Sequence, residues 1–332
     1  MKSPITGKEM VKKVELVETE FRKEKFETVY QYYLCEDSGE RFEDEKIAQL
    51  NLETLYNQYR VRHGIPFPEQ LVELRDKYEL TPTRISEILC FGVNTYRNYE
   101  SGEIPSLANA LILDFAFDPS KFGEMVERSD ILKPKEKERL LRRVQELMEN
   151  QNKIDFDLKA YFMGNPDPDE ESGFRKPDLK KFSEMVIFFA SSIQPYKTKL
   201  NKLLFYSDFY NFKKTGFSIS GVRYCAIDMG PVPNNFQSIF EYLEQKQCVK
   251  VTRRLFENAV GEQFQRTETK DFNEAIFTSE ELDSLNLVVT KLGKMATDQL
   301  IHWSHNEDVW QKNFHAGRKL MNYLDAFSLK AI

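Results

Sequence analysis

The chain has 332 residues, more than the roughly 100 to 200 of one typical domain, so two or three domains are expected. Its composition, 41% hydrophobic and 30% charged, is that of a globular protein. No apolar run approaches the ~20 residues of a membrane helix, and Met1-Lys2-Ser3-Pro4 leads into no apolar export segment, so a cytoplasmic protein without membrane contact is expected. A net charge of −6 excludes nucleic-acid binding by the whole surface and confines any such contact to a local face.

Cys35, Cys90, Cys225 and Cys248 lie far apart and form no pair at short spacing, so four reduced thiols are expected. Over residues 1–50, polar and apolar positions alternate, with Val14, Leu16 and Val17 before a turn and Phe26, Val29 and Tyr30 beyond it, a pattern that suits a small antiparallel sheet. Two knuckle positions flank it, Ser3-Pro4-Ile5-Thr6-Gly7 and Cys35-Glu36-Asp37-Ser38-Gly39. The outline resembles the amino-terminal zinc-binding domain of MqsA/YgiT-type antitoxins, in which both knuckles are Cys-x-x-Cys. Here three of the four ligand positions are Ser3, Thr6 and Ser38, and hydroxyls are poor zinc ligands beside thiolate. No metal and no other cofactor is therefore expected. The sheet would be held by side-chain packing or by pairing of two chains, with a plain β-hairpin extension as the alternative.

Residues 51–130 read as an all-helical segment. Phe67-Pro68-Glu69 opens a helix with Leu71, Leu74 and Tyr78 at three-to-four spacing. Thr81 caps the next, with Pro82 at its first position, where no amide hydrogen is needed. Ile85, Ile88 and Leu89 face inward, and Ser86 is the small residue at a close helix crossing. Gly92 allows the reversal into a third helix, Val93 to Glu100, with Val93, Tyr96 and Tyr99 inward. Asn94, Thr95, Arg97 and Asn98 then point outward, a set suited to base edges and phosphates, and Thr83 and Arg84 flank it from the preceding helix. The run from Phe91 to Gly102 resembles the Xre-type helix-turn-helix that follows the zinc domain in MqsA-like antitoxins. That resemblance implies operator DNA as a partner. Against it, residues 51–130 carry 8 Lys and Arg against 13 Asp and Glu, whereas phosphate contacts dominate DNA affinity. A homodimer presenting Arg84 and Arg97 twice, helped by the basic run Lys133 to Arg143, resolves the conflict; a bundle used for packing or protein contact is the other reading.

Residues 131–178 read as a connection. Lys135 to Asn150 has Leu140, Val144 and Leu147 on one face of a helix. Gly164 to Gly173 is rich in turn formers and acid, which makes it the best domain boundary in the chain.

Over residues 179–332, Phe182, Met185, Val186, Phe189 and Ile193 form an apolar stripe that Pro195 ends, and Lys199 to Phe212 is a central helix apolar on nearly every turn. Asp208 lies within it, where an ionised group needs a partner; Arg223 is the candidate. Tyr224 to Met229 alternates as a strand. Gly230-Pro231-Val232-Pro233 reads as a stiff corner into a helix from Asn235 to Leu243. Cys248 to Val251 and Gln263 to Glu268 are able to pair, and Thr278 with Glu281 is a capping box for a long helix to about His302. His302, His305, Glu307, Asp308 and His315 permit a metal site by arithmetic, with a structural role as the alternative. No phosphate loop or nucleophile elbow occurs, so an enzyme is not expected.

Leu203-Leu204-Phe205-Tyr206-Ser207-Asp208-Phe209-Tyr210, then Ser220 to Tyr224, Gly230 to Pro233, and Trp303-Ser304-His305 with its following acids and Trp310, resemble the Panacea domain, a SocA-like antitoxin domain. The resemblance implies a cognate toxin, usually encoded next door, neutralised by direct protein binding. Tyr206, Asp208, Tyr210, Tyr224, Pro231, Pro233 and His305 are the toxin-binding candidates, the tyrosines being core residues in the alternative. The whole reads as an α+β protein: a β ribbon (1–50), a helix-turn-helix (51–130), a helical connection (131–178) and a mostly helical C-terminal domain with a small sheet (179–332). Its rivals are a transcription regulator with another sensor domain, an adaptor that delivers a toxin to a protease, and a metal-dependent hydrolase.

Overall fold

A computed structural model of the chain describes residues 1–151, 162–256, 259–317 and 319–332. It is α+β, with antiparallel strands at the N-terminus, many helices and small sheets further on. The chain divides into two compact units, Leu52–Phe156, and Met1–Asn51 together with Asp157–Ile332. Of the connection expected over 131–178, residues 152–161 lie outside the described residues.

The N-terminal ribbon is the hairpin β1 (Val11–Phe21) and β2 (Glu24–Leu34), paired from Val11↔Leu34 to Phe21↔Glu24, with β3 (Arg41–Phe42) added on β2. Arg22 and Lys23 close it with φ of 50° and 69°, the left-handed pair whose twist matches that of the strands. Phe26, Val29 and Tyr32 are buried, while Val14 and Leu16 of the expected apolar set are exposed. Two tight turns lie at the base of the ribbon. Gly7 donates to the Ser3 carbonyl and Gly39 to that of Cys35, at 2.9 and 2.8 Å. The Thr6 hydroxyl lies 3.5 Å from Cys35 Sγ. Hydrogen bonds from Ser3, Ser38 and Thr6 draw the Cys35 thiol down to about 6. Hydroxyls thus occupy the space around one sulfur.

In the unit Leu52–Phe156, the end of α1 (Glu45–His63) is followed by α2 (Pro68–Lys77), α3 (Pro82–Ile88), α4 (Thr95–Glu100), α5 (Leu107–Phe117), α6 (Pro119–Arg128) and α7 (Pro134–Gln151). Their starts follow local chemistry: Thr81, Ser106 and Asp118 accept backbone N–H groups of the turns they open. One core gathers Leu71, Leu74, Tyr78, Ile85, Ile88 and Tyr96 with Leu113, Phe122 and Val126. Leu140 and Val144 belong to it as well, so α7 is part of this unit's packing and not merely a connection. The expected third helix starts two residues late, at Thr95. Val93 therefore sits in the turn, 59% exposed, and not inward.

The C-terminal part is built around α9 (Lys197–Thr215), which packs on α8 (Leu179–Ser192), α11 (Ser279–Leu292), α12 (Thr297–His305) and the short strand β5 (Gly230–Pro233). Between them run β4 (Tyr224–Ile227), α10 (Phe236–Gln245) and the hairpin β6 (Lys250–Phe256) and β7 (Ala259–Gln265). After α12 come α13 (Asp308–His315) and a 3₁₀ segment, Tyr323–Ser328. Helix α9 is buried at every position from Leu200 to Phe209 and ends at Gly216 with φ of 79°, the left-handed stop that glycine supplies.

Three expectations are corrected here. Gly230 to Pro233 is not a corner but strand β5, pairing Tyr224↔Pro233 and Ala226↔Pro231; prolines two apart put both missing N–H groups on the edge facing away from β4, where the ladder does not need them. The long helix to His302 breaks into α11 and α12. The Lys199 ammonium donates to the Gly293 and Met295 carbonyls at 2.7 Å each, satisfying groups that the break leaves open. Finally, Gly164 to Gly173 is folded into the C-terminal part. Arg223 donates to the carbonyls of Asn165 and Asp167 and to the Asp169 carboxylate, and Ser172 and Phe174 are buried.

Candidate functional site

Asp208 has no exposed surface, and four donors converge on it. The backbone N–H groups of Ile219 and Ser220 donate to Oδ1 at 2.8 and 2.9 Å, and the hydroxyls of Ser220 and Tyr224 donate to Oδ2 at 2.6 and 2.8 Å. Burial pushes its carboxyl up against the downward pull of these donors. The expected partner, Arg223, is not among them. Consecutive residues of an extended segment point to opposite sides, so Tyr224 faces Asp208 while Arg223 turns to Asp169 at 2.6 Å.

The second half of the motif pins the C-terminal residues. Glu307, almost fully buried, accepts the Tyr206 hydroxyl at 3.2 Å and the backbone N–H groups of Lys330 and Ala331 at 2.9 and 3.0 Å. Trp310 donates its indole N–H to the Ile227 carbonyl at 3.0 Å and stacks between His305 and Phe314, with ring centroids 4.1 and 4.5 Å apart. Beside them Lys202 is wholly buried and donates to the Pro231 carbonyl at 2.9 Å. A Cβ on Gly230 would lie 2.5 Å from Ser304 Oγ and 2.6 Å from Lys202 Cε, so only glycine fits there. Burial draws the Lys202 amine down to about 7. Burial, and then the nearby Lys202, also lower the His305 imidazole, whose Nε2 is buried without a hydrogen-bond partner among the described residues.

Of the toxin-binding candidates, Tyr206, Asp208 and Tyr224 are fully buried, Pro231 and Pro233 are buried in β5, and Tyr210 and His305 are half-buried. The structure brings Asp208 and Tyr224 into direct contact, but it leaves the five buried residues no surface to offer a partner. Lys202 and Glu307 were missed as organising groups. For Lys202 the available signal was a charged residue inside a helix apolar on nearly every turn, whereas Glu307, between Asn306 and Asp308, carried no such signal. His302 turns to Asn306, 3.2 Å away, and among the described residues no three His, Cys, Asp or Glu side chains are grouped to hold a metal.

In the helical unit, Ser86 joins α3 to α4: its hydroxyl donates to the Gly92 carbonyl at 2.6 Å and accepts the Tyr96 N–H at 3.3 Å. The reversal itself is made at Cys90, with φ of 58°, and not at Gly92. On α4, Tyr96 and Tyr99 are buried while Arg97 and Asn98, with Asn94 before them, are exposed; Thr95 is half-buried. Thr83 and Arg84 are half-buried on α3. Arg84 is held by Glu87 at 2.7 Å and by both oxygens of Glu136, and this pairing pulls the Glu136 carboxyl down. The freely presented set is thus Asn94, Arg97 and Asn98.

Residues 200–311 match the family described as Antitoxin SocA-like, Panacea domain. The match starts in the first turn of α9 and ends within α13, so it spans both the Asp208 cluster and the Glu307–Trp310 cluster. It makes this region a SocA-like antitoxin domain, and such a domain implies a toxin partner. No curated protein and no solved structure matches the chain. Among the described residues no helix is long and apolar enough to cross a membrane.

Proposed function

We propose that the chain is the antitoxin of a type II toxin–antitoxin pair, neutralising a cognate toxin by direct protein binding through its SocA-like region and repressing its own operon through the exposed face of α4. The family match over residues 200–311 carries the first half. The second half rests on two short helices joined by a tight turn, with Asn94, Arg97 and Asn98 facing solvent from the second, which is the arrangement a major groove accepts. Because the unit is acidic, DNA binding on this reading needs two copies, each presenting one α4. The buried motif residues act indirectly: Asp208, Tyr206 and Glu307 hold the loops and chain end in place and so support the domain without touching the toxin. The mechanism is binding, not turnover.

The test is growth of cells expressing each open reading frame that flanks the gene, alone and with the full chain. Arrest by one neighbour, relieved by the full chain and accompanied by a complex of the two proteins, is the expected outcome. No arrest from either neighbour favours a plain regulator, and disappearance of the toxin in cells containing the chain favours delivery to a protease.

A further inference from the structure

With Tyr206, Asp208 and Tyr224 inside the core, the toxin is better met elsewhere on the domain, and the β6–β7 hairpin has the features of a docking edge. Its base is fixed. Phe264 is buried, its N–H donates to the Pro195 carbonyl at 2.9 Å, and Gln263 bridges to Tyr196. The outer edge of β7 is thereby occupied. The outer edge of β6 is open: among the described residues its backbone pairs with β7 alone. An open edge is a template for another strand.

The side chains along that edge specify what strand. Strand β6 carries Lys250, Arg253 and Arg254 and no acid, in a chain of net charge −6. Arg253 is held by Glu244. Lys250 and Arg254 have no carboxylate partner among the described residues, and they lie on one face, four residues apart. On the opposite face, Leu255 and Val260 stand directly across from each other, 81% and 60% exposed. We propose that the open edge of β6 captures an extended strand of the toxin whose side chains alternate, acidic toward Lys250 and Arg254 and apolar toward Leu255. This rests on the antitoxin reading above.

The test uses the full chain and the neighbouring gene product that it neutralises. Hydrogen exchange of the complex is expected to slow the β6 amides at least tenfold relative to the free chain. Arg254→Glu, and separately Leu255→Glu, are expected to weaken binding at least tenfold and to restore growth arrest, while circular dichroism and melting stay unchanged. Unchanged exchange at β6, or unchanged binding by both variants, overturns the docking edge while neutralisation by the wild-type chain keeps the antitoxin reading. A wild-type chain that binds neither flanking gene product overturns both. Should a variant fail to fold, exchange in the wild-type complex still decides.

Discussion

Lys202 carries an amine with no exposed surface and a single hydrogen bond, to the Pro231 carbonyl, with His305 and Ser304 as neighbours and no ion pair among the described residues. Burial disfavours its charged form, so the folded chain releases that proton at about 7 where an unfolded lysine holds it to about 10.5. Between those values the unfolded state binds more protons, and stability rises with pH. His305, also lowered by burial, contributes with the same sign below its ordinary value of about 6.5. Tyr206, Tyr224 and Tyr323 act at the other end: burial raises all three, so above pH ~10 the unfolded state loses protons that the folded state keeps, and stability falls. The urea midpoint is therefore expected to rise from pH 7 to 9 and to fall beyond pH ~10. Lys202→Met, which keeps the stem volume and removes the amine, should raise the midpoint at pH 7 and flatten the rise. An equal slope in wild type and variant would assign the rise to other groups.

At the scale of elements, what was legible in the sequence is what is encoded within a few residues. Thr81 with Pro82, and Thr278 with Glu281, mark helix starts by chemistry that reaches three positions, and the structure forms both caps, the second as a reciprocal box. The apolar stripe of α8 was legible for the same reason. What failed depends on partners far along the chain. The break between α11 and α12 is satisfied by Lys199, which precedes it by more than ninety residues. The turn-rich segment before α8 looked like a linker because Arg223, which binds its carbonyls, lies over fifty residues on. The α3–α4 reversal was misplaced by two residues because Gly92 is the obvious candidate, yet Cys90 takes the left-handed conformation, which costs an L-residue about 1–2 kcal/mol. Cys90 is exposed, so Cys90→Gly removes strain without opening a cavity. It is expected to stabilise the helical unit by about 1 kcal/mol, read as a higher denaturation midpoint by tyrosine fluorescence or circular dichroism; a loss of stability would mean that the Cys90 side chain contributes more than its backbone costs.

For the whole molecule, charge decides how DNA binding has to work if the proposed function holds. An acidic unit inside an acidic chain repels the duplex at long range, so the few cations that do face DNA must carry the ionic part of the affinity. Arg84 is committed to Glu87 and Glu136, which leaves Arg97 as the cation of the α3–α4 face with no such commitment among the described residues. Each phosphate neutralised releases counterions and steepens the dependence of log K on log salt by about 0.9. A single chain on its site would lose one such contact in Arg97→Ala, whereas a dimer on a palindrome would lose two. The slope measured on the DNA preceding the chain's own reading frame should therefore flatten by about 1.8 in Arg97→Ala, while Arg84→Ala leaves it nearly unchanged and acts instead on the stability of the helical unit through the orphaned Glu136. A flattening of about 0.9 would indicate one copy per site. An unchanged slope would remove Arg97, and with it the exposed face of α4, from the DNA contact.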